Sequence, residues 1–265
     1  MRKDRRVAVV TGGSSGIGRA ACAALAHSGA VVWELSRRYI PQDGVEHLSC
    51  DVTDEESVRS AIERVFCESG SIDILLCCAG FGISGAVEFT NPEDSHRQME
   101  VNLFGTDRVV RAALPHLRES HGRIVLVSSV AAVAAIPFQT WYSVSKSAIN
   151  AYALALRNEM RPFGVTVTAV MPGDISTGFT DARKKSAVGD DIYGGRIERS
   201  VAGMEKDERT GMSPEIAGSF LARASLSRRA PALRTIGFGY QLLVFLIKIL
   251  PASVASFVIG KLYGG

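Results

Sequence analysis

The sequence predicts an α/β fold: a single domain built on one doubly wound parallel sheet with helices on both faces. Three observations predict it. Apolar strand-like runs alternate regularly with helix-period segments along the chain. The first run breaks into a glycine-rich turn, Thr11-Gly-Gly-Ser-Ser-Gly-Ile-Gly18, that opens a helix. The central run 72–78 is apolar without alternation, as in a strand buried on both faces of a parallel sheet. With 265 residues and 46% hydrophobic content the chain can bury one large core, and no linker, repeat or low-complexity tract divides residues 1–265.

The elements follow in order. Residues 6–11 form the first strand, and Ile17, Ala20, Ala21, Ala24 and Leu25 give the next helix one apolar face before Gly29-Ala30 ends it. The second strand, 31–35, runs into Ser36-Arg37-Arg38. The connection to the third strand at 45–50 holds Pro41 and Gly44 and is too short for a crossover helix, so it predicts a turn or a single helical turn. Thr53-Asp-Glu-Glu56 reads as a capping box, with Val58, Ala61, Ile62, Val65 and Phe66 keeping the helical period behind it. The central strand ends at Ala79-Gly80. Asn91-Pro92 opens a long helix reaching about residue 117, in which Pro115 marks the last turn. A fifth strand at 123–129, a helix at 141–160 and a sixth strand at 165–171 complete the alternation.

Beyond it, 174–212 is polar and glycine-spotted, a lid or a loop with weak helices. Ser213-Pro214-Glu215 caps one more helix to about residue 225. The tail, 236–262, is rich in Leu, Val, Ile and Phe. Its longest uninterrupted apolar run, 242–247, is far short of the roughly 20 residues of a spanning helix. Core packing or a pocket lid is the expectation there, and attachment to a membrane surface the alternative.

Composition excludes several classes. A net charge of +3, with basic and acidic residues interspersed, lacks the basic stripe of a nucleic-acid binder. The charged start, Met-Arg-Lys-Asp-Arg-Arg, leads into a strand instead of a signal peptide's apolar region, so a cytoplasmic protein is expected. Cys22, Cys50, Cys67, Cys77 and Cys78 have no metal-ligand spacing and read as reduced thiols; His96, His116 and His121 likewise give no metal site.

Chemistry gathers at Tyr142-Ser-Val-Ser-Lys146, where a phenol and an ammonium lie one helical turn apart on one face. A phenol titrates near pH 10. Two unit charges about 4 Å apart interact by roughly 4 kcal/mol at an effective dielectric of about 20, or about three pKa units. Lys146, helped by a second positive charge, is therefore expected to bring Tyr142 into the useful range. Glycines at positions 12, 16 and 18 allow a tight turn and close approach to a pyrophosphate held at the helix N-terminus.

These motifs together resemble the short-chain dehydrogenase/reductase family, and the match is collinear over 7–177. Thr11-Gly-Gly-Ser-Ser-Gly-Ile-Gly18 is similar to its TGxxxGxG cofactor loop, which implies contacts from Gly12, Ser14, Ser15, Gly16, Ile17 and Gly18. Asp51-Val52 resembles the pair placed against the adenine, Ala79-Gly80 the end of the NNAG motif, and Pro172-Gly173 with Ile175 and Thr177 the PG motif at the nicotinamide. Asn102, Ser129, Tyr142 and Lys146 match the catalytic set, and Ser129 precedes Tyr142 by the family's usual 13 residues. The resemblance implies a Rossmann-like core over about 5–177, hydride transfer between a nicotinamide and a carbonyl or carbinol carbon, and proton exchange by Tyr142. Ser129 would hold the substrate oxygen, Lys146 would bind the nicotinamide ribose and stabilise tyrosinate, and Asn102 would hold a relay water.

Two departures stand out: Cys77-Cys78 replace the family's asparagine pair, and the connection after the second strand is short. Where an NAD site wants an acid, this chain has Ser36, followed by Arg37 and Arg38, which suit a 2′-phosphate; Glu34, two residues earlier on the same strand face, is the competing acid. NADP(H) is expected over NAD(H). Apolar walls at 131–139 and Trp141, with the lid and tail, point to a lipophilic ketone or alcohol, a hydroxysteroid first, by likeness to 17β-hydroxysteroid and retinol dehydrogenases. A 3-oxoacyl thioester reductase, with Arg183-Lys184-Lys185 greeting an acidic carrier, and an NADPH-sensing module are the alternatives. A homo-oligomer, dimer or tetramer, is expected through a four-helix interface or, if they pack inward, without the help of Ile149, Tyr152, Ala153, Leu156 and Met160.

Overall fold

The computed structural model describes residues 5–227, 229 and 231–264, so the reading of Met1 to Asp4 lies outside the described residues. In chain order the elements are β1 (Val7–Thr11), α1 (Gly16–His27), β2 (Val31–Ser36), β3 (Val45–Ser49), α2 (Glu55–Ser69), β4 (Ile74–Cys77) and β5 (Ile83–Ser84). There follow α3 (Pro92–Met99), α4 (Gly105–Ser120), β6 (Arg123–Val127), α5 (Thr140–Met160), β7 (Thr166–Met171), α6 (Phe179–Ala182) and β8 (Lys184–Lys185). The chain ends with α7 (Arg196–Arg209), α8 (Pro214–Leu226), β9 (Leu233–Thr235), α9 (Phe238–Ile249) and α10 (Ala252–Tyr263).

Seven strands form one parallel sheet in the order β3-β2-β1-β4-β6-β7-β9. Alternation along each strand divides the core between the two faces. Val9, Leu75, Leu126 and Val167 pack with Ile62, Leu117 and Ile149 beneath α2, α4 and α5. Val10, Ile74, Leu76 and Val125 pack with Leu25 and Leu221 beneath α1 and α8. From β1 the chain winds outward through β2 to β3 on one side, then crosses back through α2 to β4 and winds outward through β6 and β7 on the other. The crevice at these strands' carboxyl ends is therefore the switch point where such sheets bind ligands.

Several local expectations are corrected. Asp54, not Thr53, caps α2: its carboxylate accepts the Ser57 N–H, while the Thr53 hydroxyl donates to Asp51 Oδ1 at 2.8 Å. The long helix after Asn91 is broken by a π-turn over Glu100–Phe104, and α4 then runs past Pro115 to Ser120. Its end is set by His121 in the left-handed region at φ 49° and by the Gly122 N–H, which takes the Leu117 carbonyl at 2.9 Å. The segment after Asp174 holds α7, a regular helix of 14 residues, in place of weak helical turns. β9 was not anticipated, because three residues behind Pro231 carry no readable period.

On α5, Ile149, Ala153, Leu156 and Met160 are buried in the chain's own core, and Tyr152 donates to Asp107 Oδ1 at 3.0 Å. These residues pack inward on the sheet. In the tail, Val244, Ala255 and Ile259 are buried as core packing predicts, but Phe238, Leu242, Phe245, Ile249 and Phe257 are exposed.

Candidate active site

The glycine turn is built by close approach. Gly12 has φ 68°, and a Cβ there would lie 2.8 Å from the Ala79 backbone; one at Gly18 would lie 2.3 Å from the Gly12 carbonyl. Gly16 has φ 53° and faces Thr177, whose side chain would be 3.6 Å from a Cβ. Ser14 is buried, Ile17 packs against the α1 side of the core, and Ser15, at the helix N-cap, makes no side-chain bond to the first turn. First-turn amides of a helix without such a cap are directed at whatever anion enters the crevice.

The cysteine pair leaves the loop intact. Ala79 N–H donates to the Thr11 hydroxyl at 3.4 Å and Cys78 N–H to the Thr11 carbonyl at 3.1 Å, so Thr11 braces the segment. Burial pushes the Cys77 thiol up to about 12 and Cys78 well above its ordinary value, so both stay neutral. Asn102 supplies the remaining contacts from the π-turn. Its Oδ1 accepts the Phe81 N–H at 3.0 Å, and its Nδ2 donates to the Phe81 carbonyl at 3.0 Å and to Ser145 Oγ at 3.1 Å. That side chain positions the segment after Gly80 against α5.

Ser129, Tyr142 and Lys146 converge at the ends of β6 and α5. Ser129 Oγ accepts the Ala131 N–H at 3.1 Å and is hydrogen-bonded to Tyr142. Lys146 is buried, donates to the Val127 carbonyl at 2.9 Å, and lies 5.8 Å from the centre of the Tyr142 ring. Here burial dominates the electrostatics. Burial pushes the phenol up to about 12, outweighing the Ser129 hydrogen bond and the field of Arg183. Burial also lowers the Lys146 ammonium to about 8. Because Lys146 is turned to a carbonyl below the ring, it does not bring the phenol down in the protein by itself; at neutral pH the pair is a protonated phenol beside an ammonium.

At the adenosine end, Arg37 and Arg38 are exposed, and the Ser36 hydroxyl donates to the Arg38 carbonyl at 3.0 Å. Asp51 is held below the usual carboxylate range, first by the Thr53 N–H and also by the fields of Arg37 and Arg97. Val52 is buried against Gly105. Glu34 is withdrawn from the rim: it is 3% exposed, lies 2.5 Å from His47 Nδ1, and fills the space beneath Gly13.

The nicotinamide end is roofed by the lid and tail. Pro172 accepts the Val130 N–H at 2.9 Å, and Ile175 bridges to Met212. Tyr240 of α9 lies over Gly173, where a Cβ would meet its ring at 2.4 Å, and its hydroxyl donates to Asp174 Oδ2 at 2.5 Å. Phe179 of α6 stands between the Tyr142 ring, 5.7 Å away, and the Arg183 guanidinium, 5.6 Å away. Arg183 is buried and paired with Glu208. Lys184 pairs with Asp94 and Lys185 with Glu205, so each member of the basic trio has an acidic partner within the chain, although Arg183 Nε and Nη1 are buried with no hydrogen-bond partner. Phe138, in the predicted wall, is buried at φ 60°, a strained conformation for an aromatic residue. Sequence reasoning missed Phe179, Glu208 and Tyr240, which lie where no motif marks them.

The predicted residues thus form one crevice that fits a dinucleotide: a backbone cradle for a pyrophosphate, arginines for its adenosine end, and a phenol and ammonium at the other. A doubly wound sheet with such a crevice at its switch point is the architecture of a nucleotide-binding domain. A family model described as short chain dehydrogenase matches residues 6–187. A 3-ketodihydrosphingosine reductase of Bacteroides thetaiotaomicron is 38% identical over 234 residues, 87% of each protein. The human 17-beta-hydroxysteroid dehydrogenase type 1 is 32% identical over 195 residues, 67% of this chain and 59% of that protein. The crystal structure of a short-chain dehydrogenase from Streptomyces avermitilis superposes with a TM-score of 0.84 at 27% identity, covering 98% of each chain. The chain belongs to the short-chain dehydrogenase family.

Proposed function

We propose that this chain is an NADPH-dependent reductase of a long-chain lipid ketone of the 3-ketodihydrosphingosine type. The observation that carries the reaction is the Ser129–Tyr142 hydrogen bond with the Lys146 ammonium beneath the ring. Bound NADPH supplies the hydride. Ser129 orients the carbonyl oxygen, and Tyr142 donates its phenolic proton to it as the alcohol forms. A phenol raised to about 12 holds that proton at neutral pH, which favours reduction. Lys146 binds the nicotinamide ribose and, as an ammonium, stabilises the tyrosinate left behind. Asn102 keeps the segment after Gly80 in register with α5.

The NADPH preference rests on Arg37 and Arg38 at the rim and on the engagement of Glu34 by His47. One consideration supports a sphingoid ketone before the hydroxysteroid. The sphingoid reductase relative matches 87% of the chain against 67% for the steroid enzyme. The hydroxysteroid is the second reading, supported by the apolar wall around Ala134 and Phe138. The carrier-thioester reading has less support, since Arg183, Lys184 and Lys185 each have an acidic partner within the chain.

The test is nicotinamide absorbance with 3-ketodihydrosphingosine, estrone and an acetoacetyl thioester, each with NADPH and NADH. The expected result is fastest NADPH oxidation with the sphingoid ketone. Turnover confined to estrone would install the steroid reading, and cofactor binding without turnover of any ketone would turn the chain into a sensor.

A further inference from the structure

We infer that the α9–α10 pair is an interfacial anchor that lies in the plane of an anionic lipid bilayer. Both helices are amphipathic in a direction opposite to that of the rest of the fold. On α9, Phe238, Leu242, Phe245 and Ile249 recur at helical spacing on the exposed side, with Phe238 at 82% exposure, and on α10 Phe257 and Leu262 continue the surface at 65% and 62%. The inward sides are fixed to the body: Val244 and Ile259 pack with Val130, Ala134 and Met171. The apolar surface is therefore the outer face of a docked element, and Pro251 turns the chain between its two helices.

Charge selects the occupant. After Glu215 the sequence contains no Asp or Glu and six Lys or Arg residues. Lys248 and Lys261 accompany the apolar face, one on each helix. A second copy seated on this surface would bring like charges together, whereas an anionic bilayer answers both the apolar residues and the cations. Among the described residues no helix is long and apolar enough to cross a membrane. The mode is thus surface insertion. Tyr240 links the anchor to the site, since the helix that exposes Phe245 also covers Gly173 and bonds Asp174. That the docked face receives substrate from the lipid rests on the lipid-ketone reading; attachment to the bilayer does not.

Flotation of the full chain with phosphatidylcholine vesicles, with and without phosphatidylglycerol, tests this without any substrate. The wild-type protein should float with the anionic vesicles, less with neutral ones, and less in high salt. The triple variant Phe245→Ser/Ile249→Ser/Phe257→Ser should lose at least about tenfold in vesicle affinity. Lys248→Glu/Lys261→Glu should lose the preference for phosphatidylglycerol. Unchanged circular dichroism and NADPH affinity in these variants would show that the fold is intact. Wild-type protein that stays at the bottom of the gradient overturns the inference, as does a triple variant that floats equally well. A dimer that the triple variant converts to monomer, with no flotation of the wild type, would assign the face to a second copy instead.

Discussion

The cofactor crevice and the C-terminal tail reach the same nicotinamide end of the molecule by opposite means. In the crevice, position is enforced by backbone contact: a single methyl at residue 12 or 18 would strike Ala79 or the Gly12 carbonyl. In the tail the outward residues Phe238, Leu242, Phe245, Ile249 and Phe257 are exposed and held by no such contact. The difference teaches where each kind of change should be felt. Substitutions in the crevice should alter rate and cofactor affinity sharply, and those in the tail should alter where the protein sits and how its substrate arrives.

The largest expected effect is at Tyr142. Tyr142→Phe should lower kcat about a thousandfold, in the range of a lost general acid, with NADPH affinity by fluorescence unchanged; retention of more than a few per cent of the rate would break the proposed division of roles. Next is Gly18→Ala. Its methyl would lie 2.3 Å from a carbonyl oxygen, and displacement costing about 2–3 kcal/mol predicts roughly a hundredfold loss of NADPH affinity. Arg37→Ala should reduce the preference for NADPH over NADH by about tenfold or more, read as a ratio of kcat/KM values.

The pH dependence sharpens the comparison further. Burial lowers Lys146 to about 8, so the ammonium is present below that pH and lost above it. The kcat/KM for NADPH, which reports groups of the free protein, should be level below about pH 8 and fall above it, and Lys146→Met should flatten the profile at a low rate. The smallest effect belongs to the tail: Tyr240→Phe keeps the ring on Gly173 and loses the bond to Asp174. It should change KM for the ketone by less than about tenfold and leave NADPH affinity unaltered.

Most of the fold was legible because the strands are continuous apolar runs and the turns between them are marked by Gly, Pro and capping residues. The crevice was legible for a related reason: Gly12, Gly18, Ser129, Tyr142 and Lys146 act from fixed spacings within single elements. Asn102 was found but its contacts were not, since a π-turn that aims its amide at Phe81 and Ser145 depends on packing between helices. The burial that raises Tyr142 was not legible, because a four-residue spacing gives the distance along a helix and not the carbonyl to which an ammonium turns. Phe179, Glu208 and Tyr240 come from three separate elements after Asp174, and only tertiary contact gathers them. The tail's direction was unreadable for the same reason. Its sequence is apolar on more than one side, and which side meets the body is decided by the 130–134 segment and Met171.

The central claim is that this crevice transfers hydride to a lipid ketone. A single-turnover reaction of the protein with 3-ketodihydrosphingosine and NADPH carrying deuterium at both nicotinamide C4 positions tests it most directly. The account predicts one deuterium on the carbinol carbon of the product, absent with the Tyr142→Phe variant over the same interval. Unlabelled alcohol, or labelled alcohol formed equally fast by that variant, would contradict it.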